Sequence, residues 1–190
     1  RLRLIASSLE HFFVFYNITY TNKNDAKVII SNHLVKPGFR ILSTGQRLLR
    51  ESTLELNILH QEASGKYFQY KKGSDATIVC FNQALQYGLE LSNLMQEKSI
   101  SSSLFSINFH LQASYQFIFE DINFTKRLII IDDSKSKNRL SDKFLSEVLG
   151  ICKLRRYKMV TRQIQVDDYF PRKDDLEIEY NDIISDIFKS

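Results

Sequence analysis

The stretch GSDATIVCFNQALQYGLELSNLMQEKSI, residues 73–100, decides the fold. Residues 73–75 read as a turn. Ala76–Phe81 is a continuous apolar run, the pattern of a strand covered on both faces. Ala84, Leu85, Leu89, Leu91, Leu94 and Met95 then fall on one side of a helix. A strand followed by a helix is the opening half of a βαβ unit. Units that bind nucleotides carry a phosphate-cradling glycine loop at this junction. Here the junction is Phe81-Asn82-Gln83, with no such glycines. The chain has a cofactor-type unit without a cofactor-type loop.

The same alternation runs downstream. Residues 104–109 alternate as a second strand, and residues 127–131 form a third that ends in Asp132, Asp133 and Ser134. Ser141 and Asp142 open a helix whose apolar stripe is Phe144, Leu145, Val148 and Leu149, with Gly150 at its end. YKMVTRQIQ (157–165) reads as a fourth strand and VDDYFPRKDD (166–175) as a loop. LEIEYNDIISDIFKS (176–190) closes as a helix with Ile178, Ile183, Ile184 and Ile187 inward. Alternating strands and helices predict an α/β domain in three layers, a mainly parallel sheet with helices on both faces.

The pattern upstream of residue 65 is weaker. HFFVFYNITY (11–20) reads as a strand, AKVIISNH (26–33) as a second short strand, and KPGFRILST (36–44) as a turn followed by a third apolar run. GQRLLRESTLELNILHQ (45–61) opens like a helix, and its LELNILH portion alternates like a strand.

Composition bounds the class. The 190 residues fit one domain or slightly more, and a chain of this size buries roughly 70% of its unfolded surface. The net charge of +4 is mild, with basic clusters at Lys71-Lys72, at 135–139 and at 153–158 that read as solvated surface or, for one of them, a phosphate contact. The aromatic residues fall at core spacing and not between basic ones, so no nucleic-acid stacking platform is expected. No apolar run approaches the roughly 20 residues of a membrane span, and Glu10 and His11 interrupt residues 1–16 too early for a secretory signal. Cys80 and Cys152 each fall in an apolar segment and have no ligand-spaced partner. They predict reduced thiols and an intracellular, reducing location, cytoplasm or mitochondrial matrix, in which the sequons at Asn17 and Asn123 are chance matches.

In an open α/β sheet a ligand lies beyond the carboxyl ends of the strands. Those ends carry Asn82 and Gln83, then Asn108 and His110, then Asp132, Asp133, Ser134 and Lys135, and finally Asp167 and Asp168. His110 is either a general base or a loop residue without a role. Asp132 and Asp133 are either metal ligands or an acid–base pair, or they point to opposite sides and do not converge. At the surface, Asp133 and His110 would be replaceable with little loss of stability. Ser134, Ser136 and Ser141 around Lys135, Lys137 and Arg139 offer a phosphate contact, but no glycine lets the backbone approach closely. No GxGxxG, Walker loop, HExxH or GxSxG motif occurs.

Residues 65–109, GKYFQYKKGSDATIVCFNQALQYGLELSNLMQEKSISSSLFSINF, resemble the linker and first βαβ of the transketolase C-terminal domain. The shared features are Gly65-Lys66, Lys72, Gly73, Asp75 and Thr77-Ile78-Val79. RLIIIDDSKSKNRLSDKFLSEVL (127–149) resembles the family's next strand, acidic strand end and helix. MVTRQIQVDDYFPRKDDLEIEYNDIISDI (159–187) is similar to the tail of 2-oxo acid dehydrogenase beta subunits. It has an arginine after a strand (Arg162), an aspartate (Asp167, Asp168), an aromatic–proline pair (Phe170, Pro171) and a last helix. KPGFRILST is similar to a late stretch of the pyrimidine-binding domain. The resemblance implies two parts: residues 1–64, a shortened α/β remnant or linker, and residues 65–190, a transketolase C-terminal-like domain.

The departures shape the functional expectation. Nothing here matches the family's catalytic glutamate or its diphosphate–magnesium motif, and SKSKNRLS replaces a glycine-rich turn. The resemblance therefore implies no catalytic residue and no cofactor bound by this chain alone. Thiamine diphosphate and magnesium belong to the parent complex. The expected role is assembly and docking, with Asp132, Asp133, Arg162, Asp167, Asp168, Phe170 and Pro171 as candidate contact residues. The expected partners are a homo-oligomer or a thiamine-binding subunit, and an acyltransferase core, with no nucleic acid and no membrane. A true beta-type subunit that completes its site with a partner chain, or a scaffold or sensor that reuses the fold, remain open.

Overall fold

The computed structural model describes residues 16–34, 40–43, 55–109, 114–134, 138–162 and 176–189. The chain runs β1 (Tyr16–Thr19), α1 (Lys23–His33), β2 (Arg40–Ser43), β3 (His60–Gln61), β4 (Tyr67–Lys71), β5 (Ala76–Phe81), α2 (Leu85–Glu97), β6 (Ser102–Ile107), α3 (Gln116–Thr125), β7 (Arg127–Asp132), α4 (Leu140–Ile151), β8 (Arg156–Thr161) and α5 (Tyr180–Phe188). The main sheet has the order β3-β4-β6-β5-β7-β8. β6, β5, β7 and β8 are parallel, while β4 and β3 join antiparallel.

The register splits the apolar runs into two cores. Ile78 pairs with Leu104 and Ile129. These side chains, with Cys80 and Ile131, pack under α2 and α5 (Leu85, Leu91, Met95, Ile183, Ile184, Ile187). The intervening residues Val79, Phe81, Phe105, Ile107, Leu128 and Ile130 pack on the other face under Ile118, Phe119 and Ile122 of α3 and Phe144 and Val148 of α4. β5 and β6 are buried at every position, which is why residues 76–81 carry no polar alternation. The three-layer α/β fold is as expected.

Four segments differ from the expectation, one of them the closing helix, which begins at Tyr180 and not at Leu176. Residues 26–33 belong to a helix, α1, and not to a strand. The β-branched run Val28-Ile29-Ile30 suggests a strand, but Asn22 caps a helix. Its side chain accepts from the amides of Asn24 and Asp25, and Asp25 accepts in return from the Asn22 amide at 3.0 Å. Residues 65–72 are not a linker, since β4 forms there and Tyr67, Phe68, Gln69 and Tyr70 are all buried. The helix α3 was not expected at all. It ends on Lys126 in a left-handed conformation (φ 58°), so no glycine marks its end in the sequence. α4 also runs one residue beyond Gly150.

β1, α1 and β2 form a small parallel βαβ unit, with Tyr16 opposite Arg40. It is attached to the main sheet by an antiparallel bridge between Ile18 and Phe109, and the Thr19 amide donates to the Asn108 carbonyl at 2.8 Å. Ile18 and Ile29 are fully buried in the same core as Phe68 and Ile78. In the 55–61 stretch, Leu56 and Ile58 pack against that core while their neighbours are exposed, though only His60 and Gln61 pair with β4.

Candidate functional site

The carboxyl ends of β5, β7 and β8 meet at one end of the sheet. β5 ends at Phe81, and Asn82 follows with φ 59°, a conformation that asparagine tolerates better than most residues. This turns its amide toward β7, where Nδ2 donates to Asp132 Oδ1 at 2.7 Å. The Ser134 amide donates to the same oxygen at 2.8 Å, and Ser141 Oγ donates to Oδ2 at 2.5 Å. Asp132 is fully buried, and Ser141 stands in the first turn of α4. The carboxylate therefore joins two strand ends to a helix start, where the helix dipole favours a negative charge.

Asp133 points the other way, as residues that follow one another along a strand do. It forms an ion pair with the Arg162 guanidinium just beyond β8, and Arg162 Nε also donates to the Asp133 carbonyl at 3.4 Å. The two side chains are only 7% and 8% exposed, so Asp133 is not a surface residue. The two carboxylates do not converge, in agreement with that reading of the sequence. Of the candidate contact residues, Asp132, Asp133 and Arg162 are brought together at this end. Asp167, Asp168, Phe170 and Pro171 lie outside the described residues, as do His110, Lys135, Ser136 and Lys137.

A second polar cluster was not anticipated. Asp25, fully buried, accepts from the Thr21 amide and hydroxyl (3.0 and 2.7 Å), the Asn22 amide (3.0 Å), Asn108 Nδ2 (2.9 Å) and the Tyr70 hydroxyl (3.2 Å). Asn22 Nδ2 donates to the Tyr70 oxygen at 2.8 Å, and Ser106 Oγ donates to Asn108 Oδ1 at 2.7 Å. Burial raises the Asp25 pKa above its ordinary value, against the pull of these hydrogen bonds. Burial and the nearby Asp25 push Tyr70 well up. The cluster joins α1 to β4 and β6. Its directly bonded members are up to 83 residues apart in sequence, and the one local signal was the spacing of Asn22 and Asp25.

The amino ends of the strands hold a third cluster. Asp121 of α3 accepts from Thr77 Oγ1 at 2.7 Å and Ser103 Oγ at 3.0 Å. Desolvation raises its pKa, while those bonds and Lys72 lower it. Burial pushes the thiols of Cys80 and Cys152 up, away from nucleophilic character.

The strand-end residues do not fit a diphosphate–magnesium pair. Asp132 already accepts three hydrogen bonds, and Asp133 is neutralised by Arg162. No group of three or more histidine, cysteine, aspartate or glutamate side chains among the described residues could hold a metal ion. Both strand-end carboxylates are thus engaged by the chain's own groups.

No protein-family model matches this chain, and no curated protein does. Solved structures do. A structure titled as a split-gene transketolase, an inactive β4 tetramer, matches with a TM-score of 0.67 at 14% identity, over 91% of this chain and 56% of its own. Transketolase from Campylobacter jejuni subsp. jejuni NCTC 11168 matches with a TM-score of 0.55 at 10% identity, over 95% of this chain and 25% of its own. The chain has a transketolase-like fold and spans about half, or a quarter, of the length of these neighbours.

Proposed function

We propose that this chain is the C-terminal, assembly-forming part of a transketolase-like, thiamine-diphosphate-dependent enzyme, and that it does not hold the cofactor itself. The fold supports the first half of the statement. The closed strand ends carry the second: Asn82, Ser134 and Ser141 consume Asp132, and Arg162 consumes Asp133. In open α/β sheets this is the ligand position. A sheet that fills it with its own side chains is suited to bearing load between subunits and not to binding phosphate. The segment 166–175, with Asp167, Asp168, Phe170 and Pro171, and the helix α5 are the proposed contact region. Its partner would be a thiamine-binding subunit, a second copy, or an acyltransferase core.

Affinity purification of the tagged chain from its native cells, followed by mass spectrometry, tests this. The expected result is stoichiometric recovery of a thiamine-binding subunit or an acyltransferase core, lost on substituting Phe170→Ala together with Asp168→Ala. Recovery of the chain with unrelated partners only would make it a scaffold that reuses the fold.

A further inference from the structure

We propose that the end of the molecule opposite Asp132 and Asp133 docks on an anionic lipid surface, through four cations and four exposed apolar side chains. α3 ends there at Thr125, with Lys126 as its left-handed cap. α4 ends there at Ile151, and residues 152–155 lead into β8. The two helix ends are tied together. The Arg155 amide donates to the Lys126 carbonyl at 2.7 Å, the Arg156 amide to the same oxygen at 3.3 Å, and the Lys153 amide to Asn123 Oδ1 at 3.0 Å. These bonds gather Lys126, Lys153 and Arg155, with Arg156 next to them at the start of β8. All four are exposed, and among the described residues none of them is in an ion pair. Lys158, two residues on, is neutralised by Asp186 at 2.7 Å.

The apolar members are Phe124 (68% exposed), Leu149 (51%), Ile151 (61%) and Tyr157 (49%). Tyr157 is in register with Leu128, which belongs to the core under α3 and α4, so it faces the same side as those helices. The carboxylates nearest along the same helices are Asp121, three residues before Phe124 and turned onto the hydroxyls of Thr77 and Ser103, and Glu147, one turn back from Ile151.

Cations at helix C-termini complement the helix dipole, which accounts in part for Lys126 and Lys153. It does not account for four large apolar side chains beside them. A second copy packed about a twofold axis would bring like charges together. A nucleic-acid backbone takes the cations but gives the apolar side chains no place to go. A docked peptide strand or helix needs anchors in a row along a groove or edge, whereas these residues stand at the ends of three elements. An anionic lipid surface takes both parts, headgroups for the cations and the interfacial zone for the apolar groups. No described helix is long and apolar enough to cross a membrane, so the contact is peripheral. This departs from the expectation of no membrane contact and is independent of the assembly reading.

Cosedimentation of the full chain with phosphatidylcholine vesicles containing about 30% phosphatidylserine tests it. The expected result is binding that weakens at least about tenfold on pure phosphatidylcholine and at about 0.5 M salt. It also weakens at least about tenfold in Lys153→Ser/Arg155→Ser and in Ile151→Glu. Circular dichroism checks that these exposed substitutions leave the fold intact. No binding to the anionic vesicles overturns the proposal, as does binding that the substitutions leave unchanged. A dimer in sedimentation equilibrium that the same substitutions dissolve also overturns it, because the surface is then an interface between copies.

Discussion

Asp133 and Arg162 form a buried pair, and that geometry determines how each responds to substitution. Removing the arginine alone takes its counter-ion from a carboxylate that is 7% exposed, at a cost of about 3–5 kcal/mol. Arg162→Ala is therefore expected to lower stability in urea denaturation by about that amount. The double variant Asp133→Leu/Arg162→Leu is expected to recover most of the loss, since apolar replacements of a buried pair are often neutral or better. Equal losses in the two variants would mean that packing, and not charge, holds the strand ends. Asp121 supplies a pH test. Its carboxyl pKa is raised above the ordinary 3.8, chiefly by desolvation. The stability it contributes is full below that ordinary value and is lost as pH rises through the raised one. The stability difference between the native chain and Asp121→Asn should be largest below the ordinary value of 3.8 and shrink toward neutrality. The partners Thr77 and Ser103 are hydroxyls that can turn to accept from an amide, so the asparagine fits. A difference that grows with pH would contradict this account of the site.

Among the elements, legibility followed burial and end signals. β5 and α2 were readable because one is buried on both faces and the other has a single apolar stripe ending in Met95. α1 was misread because Val28, Ile29 and Ile30 favour strands, while the deciding contact, Asn22 to Asp25, is a cap that outweighs them. Asn22→Ala should cost more than the ~1 kcal/mol of an ordinary cap, because Asn22 also donates to the buried Tyr70 oxygen. Thermal unfolding checks this, and a loss of a few tenths would show the cap to be dispensable. α3 escaped notice because Lys126, not glycine, adopts its left-handed end. α2 lies close on β5 at Gly88, where a Cβ would stand 2.2 Å from Cys80 Sγ and 3.0 Å from Leu104 Cδ1. Gly88→Ala is expected to destabilise by about 1–3 kcal/mol despite its better helix propensity. Adding Cys80→Ala should restore part of that loss, a non-additivity that denaturation of the two single variants and the double one would reveal.

For the whole molecule, the order of strands and helices was legible from residue 73 onward except for α3, and the state of the strand ends was legible only in part. The missing glycines said that no phosphate loop follows β5. What engages the strand ends instead depends on contacts such as Asn82 to Asp132, 50 residues apart, which no local pattern encodes. The polar cluster at Asp25 was hidden for the same reason, since it forms only when the front βαβ unit docks against β4 and β6. The front and back of the chain share one core, so an exposed apolar face would appear if either were removed. On the proposed function, the transketolase-like sheet serves for assembly and leaves the cofactor to a partner. Calorimetric titration of the isolated full chain with thiamine diphosphate and magnesium tests it most directly. The account predicts no saturable heat. A stoichiometric, magnesium-dependent binding isotherm would contradict it and make this chain a cofactor-binding subunit.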